Sequence, residues 1–573
     1  MTSAIQAALL GAVLVAAVSA AVEPSDPLVQ LEKGAVRGTT TQSDSGRTVF
    51  AFKGVPYARP PVGKYRFKDP KPTKPWQGVW DATQFPPKCM QFDRYPVSAV
   101  VGEEDCLYLN VFTPRLPAAG APLLDVLVWI HGGGFMFGGS SDWGPEFLLD
   151  KDVVLVTINY RVGPLGFLST QDEVVPGNMG LKDQSAALRW IQGNIAAFGG
   201  NPNSVTLFGL SAGGASVHYH YLSPLSAGAF HRGWSLSGAA LCPWTQQEEA
   251  AAKAVRLAGL LGCPTDGVTS RDLVACLRHR PARAIAAAVP AFQDEAEIPF
   301  SPFAPVAEPA GTMGAFVDRP PIDVLRQGLA NDVPWIVGIT TEEGLFNAAE
   351  FLGAGQSHKL QRLDQDWLRL APLLLDYNDT AGTEAQRDAV SRAIREHYIG
   401  QRPLSAATNE FVAMVGDRIF NAGVEQAARE QSQANSQPVY VYLYGYRGEN
   451  SLSGAISKPK DTSDWGVSHG DDAAYLFRWE CLPTGGNPQE LEVRKQLISI
   501  LTTFARTGVP SGLPGSPGWA PLDPASQDLY ILRMDKNAEL IFDKVPELGQ
   551  TAFWNSLPIS ENAPDLVSAR DEL

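Results

Sequence analysis

The chain has 573 residues, 45% of them hydrophobic and 19% charged, with a formal net charge of −15. With no long low-complexity tract, that composition is ordinary for a globular enzyme. The acidic balance argues against nucleic acid or an anionic membrane surface as a partner.

Ala7 to Val18 is apolar, and Val18-Ser19-Ala20 places small residues where a signal peptidase reads. Residues 1–20 are therefore expected to be a signal peptide cleaved after Ala20. The run is too short for a membrane span and ends in the polar Glu23-Pro24-Ser25-Asp26. Neither an internal repeat nor a Gly/Ser linker divides residues 21–569, which read as a single domain. The last four residues, Arg570-Asp571-Glu572-Leu573, differ from the luminal retention signal K-D-E-L only by Arg for Lys. No hydrophobic tail precedes them, so neither a lipid anchor nor a C-terminal span is expected.

In chain order, Val29-Gln30-Leu31 and Ala35 to Gly38 alternate around Lys33-Gly34 and read as a hairpin. Phe52 to Pro61 is too rich in proline for regular structure. Leu107 to Phe112, Val126 to Ile130, Val153 to Asn159 and Val205 to Phe208 are short apolar runs, as in central strands covered on both faces. Leu181 to Ile191 is apolar at helical spacing. Two later strands are expected at Trp335 to Ile339 and Val439 to Tyr444. Helices are expected at Gln246 to Leu261, Gln386 to Tyr398, Arg418 to Gln433 and Leu491 to Thr507. Strands alternating with helices argue for an α/β fold with a mainly parallel sheet.

The chemistry centres on Gly209-Leu210-Ser211-Ala212-Gly213, which follows the strand ending at Phe208. Strand, tight glycine turn, then helix is the setting in which G-x-S-x-G exposes a nucleophilic serine. A triad on such a fold runs in the order Ser, acid, His. Downstream, Thr340-Thr341-Glu342-Glu343-Gly344 puts a carboxylate just past a strand end, where open α/β sheets carry their sites. Gly466-Val467-Ser468-His469-Gly470 sets one of only eight histidines between glycines. His131-Gly132-Gly133-Gly134 follows another buried strand, and glycines there let backbone N–H groups approach a developing oxyanion.

Six cysteines on a secretory route invite pairing. Cys89 with Cys106, and Cys263 with Cys276, would close short loops; Cys242 and Cys481 have no sequence-near partner. Asn378-Asp379-Thr380 is the usable glycosylation sequon, and Asn378 its acceptor.

Phe198-Gly199-Gly200 through Ser211-Ala212-Gly213 resembles the serine signature of the type-B carboxylesterase/cholinesterase family. Glu104-Asp105-Cys106-Leu107-Tyr108-Leu109-Asn110 resembles its second signature. The likeness extends from Gly54-Val55-Pro56-Tyr57-Ala58 to the helix before Gly508. It implies an α/β-hydrolase fold, with a large mostly parallel sheet and helices on both faces. It implies Ser211 as nucleophile, His469 as general base and acid, and Glu343 as the orienting carboxylate. Gly133, Gly134 and Ala212 become the oxyanion donors, and Ser237 a supporting serine near the histidine. It also implies the disulfides Cys89–Cys106 and Cys263–Cys276, and structural ion pairs Arg66–Glu104 and Arg161–Asp183. No metal or organic cofactor is called for; the partner is a small-molecule ester, and nothing in the sequence sets an oligomeric state.

Two departures bear on substrate. Many relatives carry Glu before the serine, where this chain has Leu210, so a more apolar substrate pocket is expected there. The Cys89–Cys106 loop has no tryptophan, which argues against choline held by a cation–π contact. The chain thus resembles arthropod carboxylesterases more than cholinesterases, and uncharged esters are the expected substrates. Juvenile hormone esterases share Arg66-Phe67, Asp183-Gln184, Glu343 and Gly466 to His469, but carry Gln and Thr at the positions of Leu210 and Gly470. A non-catalytic adhesion protein on the same scaffold is the alternative from another class; such relatives lose a triad residue, and this chain keeps all three.

Overall fold

The computed structural model describes residues 26–562, apart from 96–97, 294–297, 354, 458–462 and 480. The signal peptide (1–20) and the retention tail (570–573) lie outside the described residues. The apolar runs seen in the sequence form the middle of an 11-stranded sheet. Its strands in chain order are β1 (Thr39–Gln42), β2 (Thr48–Pro56), β3 (Tyr108–Thr113), β4 (Leu124–Ile130), β5 (Val153–Ile158) and β6 (Gly200–Leu210). They continue with β7 (Arg232–Leu236), β8 (Trp335–Thr340), β9 (Val439–Tyr444), β10 (Leu529–Met534) and β11 (Leu540–Val545). The spatial order is β11-β10-β9-β8-β7-β6-β4-β5-β3-β2-β1. Every pairing from β5 across to β10 is parallel, and both flanks are antiparallel.

Because side chains alternate along a strand, the sheet divides the core into two layers. Val126, Val128 and Ile130 of β4 face one layer; Leu127 and Trp129 face the other. The first is covered by α1 (Met179–Asn194) and α2 (Ala212–Leu222), through residues such as Leu188, Ile191, Ala215 and Val217. The second is covered by α3 (Pro488–Thr507), through Val493, Leu497, Leu501 and Phe504. Burial on both faces is why these strands read as unbroken apolar runs.

Three expectations need correction. The stretch 52–61 is not wholly irregular: β2 runs through Phe52 to Pro56 before the chain leaves the sheet. Its ladder shifts register between Phe52 and Val55, where Gly54 takes φ 76°, and Pro56 is the terminal residue, where a missing donor matters least. The helix expected from Gln246 starts at Ala250, after a 3-10 turn at Pro243–Thr245. The helix expected from Arg418 is the end of a longer run from Thr408 to Ala434, interrupted by a π turn at Asp417–Asn421.

Both expected disulfides are formed, Cys89–Cys106 and Cys263–Cys276. Cys242 is a buried thiol and Cys481 is exposed. Arg66 meets Glu104 through two hydrogen bonds of 2.6 Å each, and its Nη1 donates to the carbonyls of Arg278 and Arg280. Arg161 holds the fully buried Asp183 through two 2.7 Å bonds. Removing one partner of such a buried pair costs about 3–5 kcal/mol, since the other charge is left uncompensated. Asn378 is half-buried and donates to the Asp379 carboxylate. No helix among the described residues is long and apolar enough to cross a membrane.

Candidate active site

Ser211 sits between β6 and α2 with φ 61° and ψ −121°, a conformation that non-glycine residues rarely adopt. Strain of that kind costs about 1–3 kcal/mol and persists only where the surroundings enforce it. Here they do. The Ser211 N–H donates to the Leu236 carbonyl at 2.8 Å, and its carbonyl accepts the Ala215 N–H at 2.8 Å. A Cβ on Gly209 would lie 2.5 Å from the Gly213 carbonyl carbon, and one on Gly213 only 2.0 Å from the Ile130 oxygen. The spacing of the motif is thus a packing requirement: the turn closes only with glycine on both sides.

Glu343 lies just beyond β8, fully buried, and its carboxylate accepts three hydrogen bonds. The Thr340 N–H donates at 2.7 Å, Ser237 Oγ at 2.5 Å and His469 Nδ1 at 2.6 Å. With Nδ1 committed to the carboxylate, Nε2 is the ring nitrogen left for proton transfer. The neighbouring Glu342 accepts the Val467 N–H at 2.7 Å instead, tying the histidine loop to the acid loop. Asp471 fastens the same loop, accepting from Ser468 N–H, Leu452 N–H and Ser451 Oγ, while burial pushes its carboxyl up to about 7. Phe420 stacks on the His469 ring at 4.3 Å, and Phe346 packs beside it at 5.0 Å.

The glycine run forms a loop against the elbow: a Cβ on Gly132 would be 2.8 Å from the Leu210 oxygen and 3.1 Å from Ser211 Cβ. Gly133 and Gly134 take φ 105° and 59°. Among the described residues no hydrogen bond takes up the N–H groups of Gly133, Gly134 or Ala212. His131 is scaffold here. Its Nδ1 lies 2.8 Å from the Gly132 oxygen, its ring stacks on Tyr160, and burial pushes its pKa down to about 4, so it stays neutral.

Ser211 lines a pocket together with Trp244, Phe300, Phe346, Ile419 and Phe420. Phe346 and Phe420 are the rings that flank His469, so the histidine packs against side chains that also line the Ser211 pocket. These aromatics carry no sequence motif; only the π turn that aims Ile419 and Phe420 inward marks them, and it is a backbone feature. Ser237 stands against the carboxylate rather than the imidazole, with φ 51° and its N–H on the Gly338 carbonyl. Leu210 is not among the side chains that line this pocket. It falls on the same side of β6 as Phe208 and is buried with Trp234 and Val467, its Cδ2 3.2 Å from where a Cβ on Gly470 would be. The alternation of the strand turns it away from the chamber that Ser211 enters.

The carboxylesterase family profile matches residues 25–554. The chain is 42% identical to venom carboxylesterase-6 of Apis mellifera over 540 residues, covering 94% of this chain and 95% of that one. It is 37% identical to juvenile hormone esterase of Tribolium castaneum, covering 95% of each. The solved structure of juvenile hormone esterase from Manduca sexta, with OTFP covalently attached, superposes with a TM-score of 0.80 at 27% identity, covering 93% of this chain and 99% of that one. With an elbow serine, a buried Glu–His pair and a profile match over nearly its whole length, the chain belongs to the carboxylesterase family, whose chemistry is the hydrolysis of carboxylic esters.

Proposed function

We propose that this protein hydrolyses uncharged carboxylic esters through an acyl-enzyme on Ser211. His469 takes the serine proton at Nε2 as the hydroxyl oxygen attacks the ester carbonyl. Glu343 fixes the tautomer and stabilises the imidazolium. The tetrahedral oxyanion rests on the N–H groups of Gly133, Gly134 and Ala212, each contributing about 3 kcal/mol of transition-state stabilisation. His469 returns the proton to the leaving alcohol, and water, activated by the same nitrogen, frees the acid. The observation that carries this reading is the His469–Glu343 bond of 2.6 Å beside a chamber that Ser211 lines. Purified protein should hydrolyse p-nitrophenyl butyrate, and Ser211→Ala should reduce kcat about 10⁴-fold or more. An organophosphate should label Ser211 stoichiometrically. Unchanged turnover in the alanine variant, or labelling elsewhere, sinks the assignment.

Juvenile-hormone-type esters are the second reading, favoured by the similarity to the Tribolium and Manduca enzymes. Leu210 and Gly470 depart from that branch, so general carboxylic esters remain the first. For the cell, the reading is a secretory-route protein with cleavage after Ala20 and glycan acceptance at Asn378, either secreted or retained in the ER lumen through Arg570 to Leu573. Two disulfides support an oxidising compartment. Deleting the last four residues should raise the secreted fraction; an unchanged distribution removes the retention claim.

A further inference from the structure

The chamber at Ser211 is not uniformly apolar. Ser301, Asn347 and Asp376 interrupt its aromatic and aliphatic wall. Ser301 Oγ and Asn347 Oδ1 are both shut away from solvent and have no hydrogen-bond partner among the described residues. A buried polar atom without a partner calls for one that the chain does not supply, such as a water or a ligand. Asp376 is held at φ 52°, in the left-handed region. Its carbonyl accepts from Arg418 Nη2 at 2.9 Å, but its carboxylate accepts no hydrogen bond among the described residues. Burial pushes this carboxyl up to about 6, with Arg418 and Lys253 holding it down and Glu561 and Asp379 adding to the rise. Glu343, a few residues from Asn347 in sequence, is the contrast: fully buried where Asp376 is half-buried, its carboxylate has three donors.

These three side chains enter from three separate segments and meet in one chamber whose other walls suit a hydrocarbon chain. Asn347 Oδ1 and the Asp376 carboxylate present acceptors without a donor, and the Ser301 hydroxyl, which can donate or accept, is unpaired as well. We infer that the pocket is a specificity site for esters whose chain carries a hydroxyl group. The carbon chain lies against Phe300, Phe346 and Phe420, and the hydroxyl donates to the Asn347 and Asp376 oxygens. A site built to bond a substrate hydroxyl discriminates against the analogue that lacks it, because the protein's own polar groups are then left unpaired. The inference rests on Ser211 being the nucleophile and adds the substrate class to that reading.

The test uses matched esters on the full-length protein, 1-naphthyl 6-hydroxyhexanoate against 1-naphthyl hexanoate, and 6-hydroxyhexyl acetate against hexyl acetate. These place the hydroxyl on the acyl and the alcohol side in turn. At least one pair should show kcat/KM about tenfold higher for the hydroxylated ester. Asn347→Leu and Asp376→Asn should each lower that ratio about fivefold or more. Because each ratio is taken within one protein preparation, partial misfolding cancels, and Asn tolerates the left-handed backbone at 376. A native ratio near or below one in both series overturns the inference, and so does a high ratio that neither variant changes. If no ester of either pair is hydrolysed, the assignment of Ser211 fails first, which separates the two claims.

Discussion

Two regions surround His469 and are built in opposite ways. The catalytic frame comes from strand ends: the elbow after β6, the acid loop after β8, and the loop that Glu342 and Asp471 pin. In it the key carboxylate is fully engaged, and glycines pack so closely that no Cβ fits. The chamber wall comes from the segments between strands, including Phe300 and Ser301, Phe346 and Asn347, Asp376 and the π turn. It leaves buried polar atoms without partners. A frame that carries out a common reaction can satisfy its catalytic carboxylate internally. A wall that selects a substrate must leave bonds for the substrate to complete.

The largest effect that would test this contrast lies in the frame. Glu343→Gln keeps the shape but removes the charge that sets the tautomer, and should lower kcat about 10⁴-fold with the fold retained by circular dichroism. A loss below tenfold would mean the imidazole is oriented by something else, the stacked Phe420 being the nearest candidate.

A second test addresses the helix that supports the elbow. His218 and His220 lie in α2, and burial pushes them down to about 4 and about 3. The unfolded chain takes up their protons below about pH 6.5 while the folded chain does not. Stability is therefore retained above that pH and lost as pH falls toward 4. Each should cost ~2 kcal/mol at pH 5. Denaturant unfolding at pH 7, 6 and 5 should show this decline, and His218→Gln should flatten it. A slope unchanged by that substitution would remove the helix from the account.

The smallest effect is expected at Ser237. Ser237→Ala deletes one of the three donors to Glu343 and should lower kcat about tenfold, with KM little altered. A change confined to KM would move Ser237 from the frame to the wall.

The nucleophile, the acid, the histidine and the glycine donors were legible because each occupies a strand end and needs a particular residue type. A Cβ 2.0 Å from a carbonyl oxygen at Gly213 leaves no alternative, so geometry is written directly into the motif. The ion pairs Arg66–Glu104 and Arg161–Asp183 were legible through family resemblance. The chamber was not. Phe346 and Phe420 have the same chemistry as any core aromatic, and they come from positions 74 residues apart in the chain. Leu210 illustrates the limit from the other side: beside Ser211 in sequence, it faces away in space because β6 alternates its side chains. By itself the sequence determined the reaction, since acyl transfer demands particular residues at particular turns. Only the tertiary structure decided what the pocket offers a substrate, because burial and unmet hydrogen bonds are properties of the packed chain.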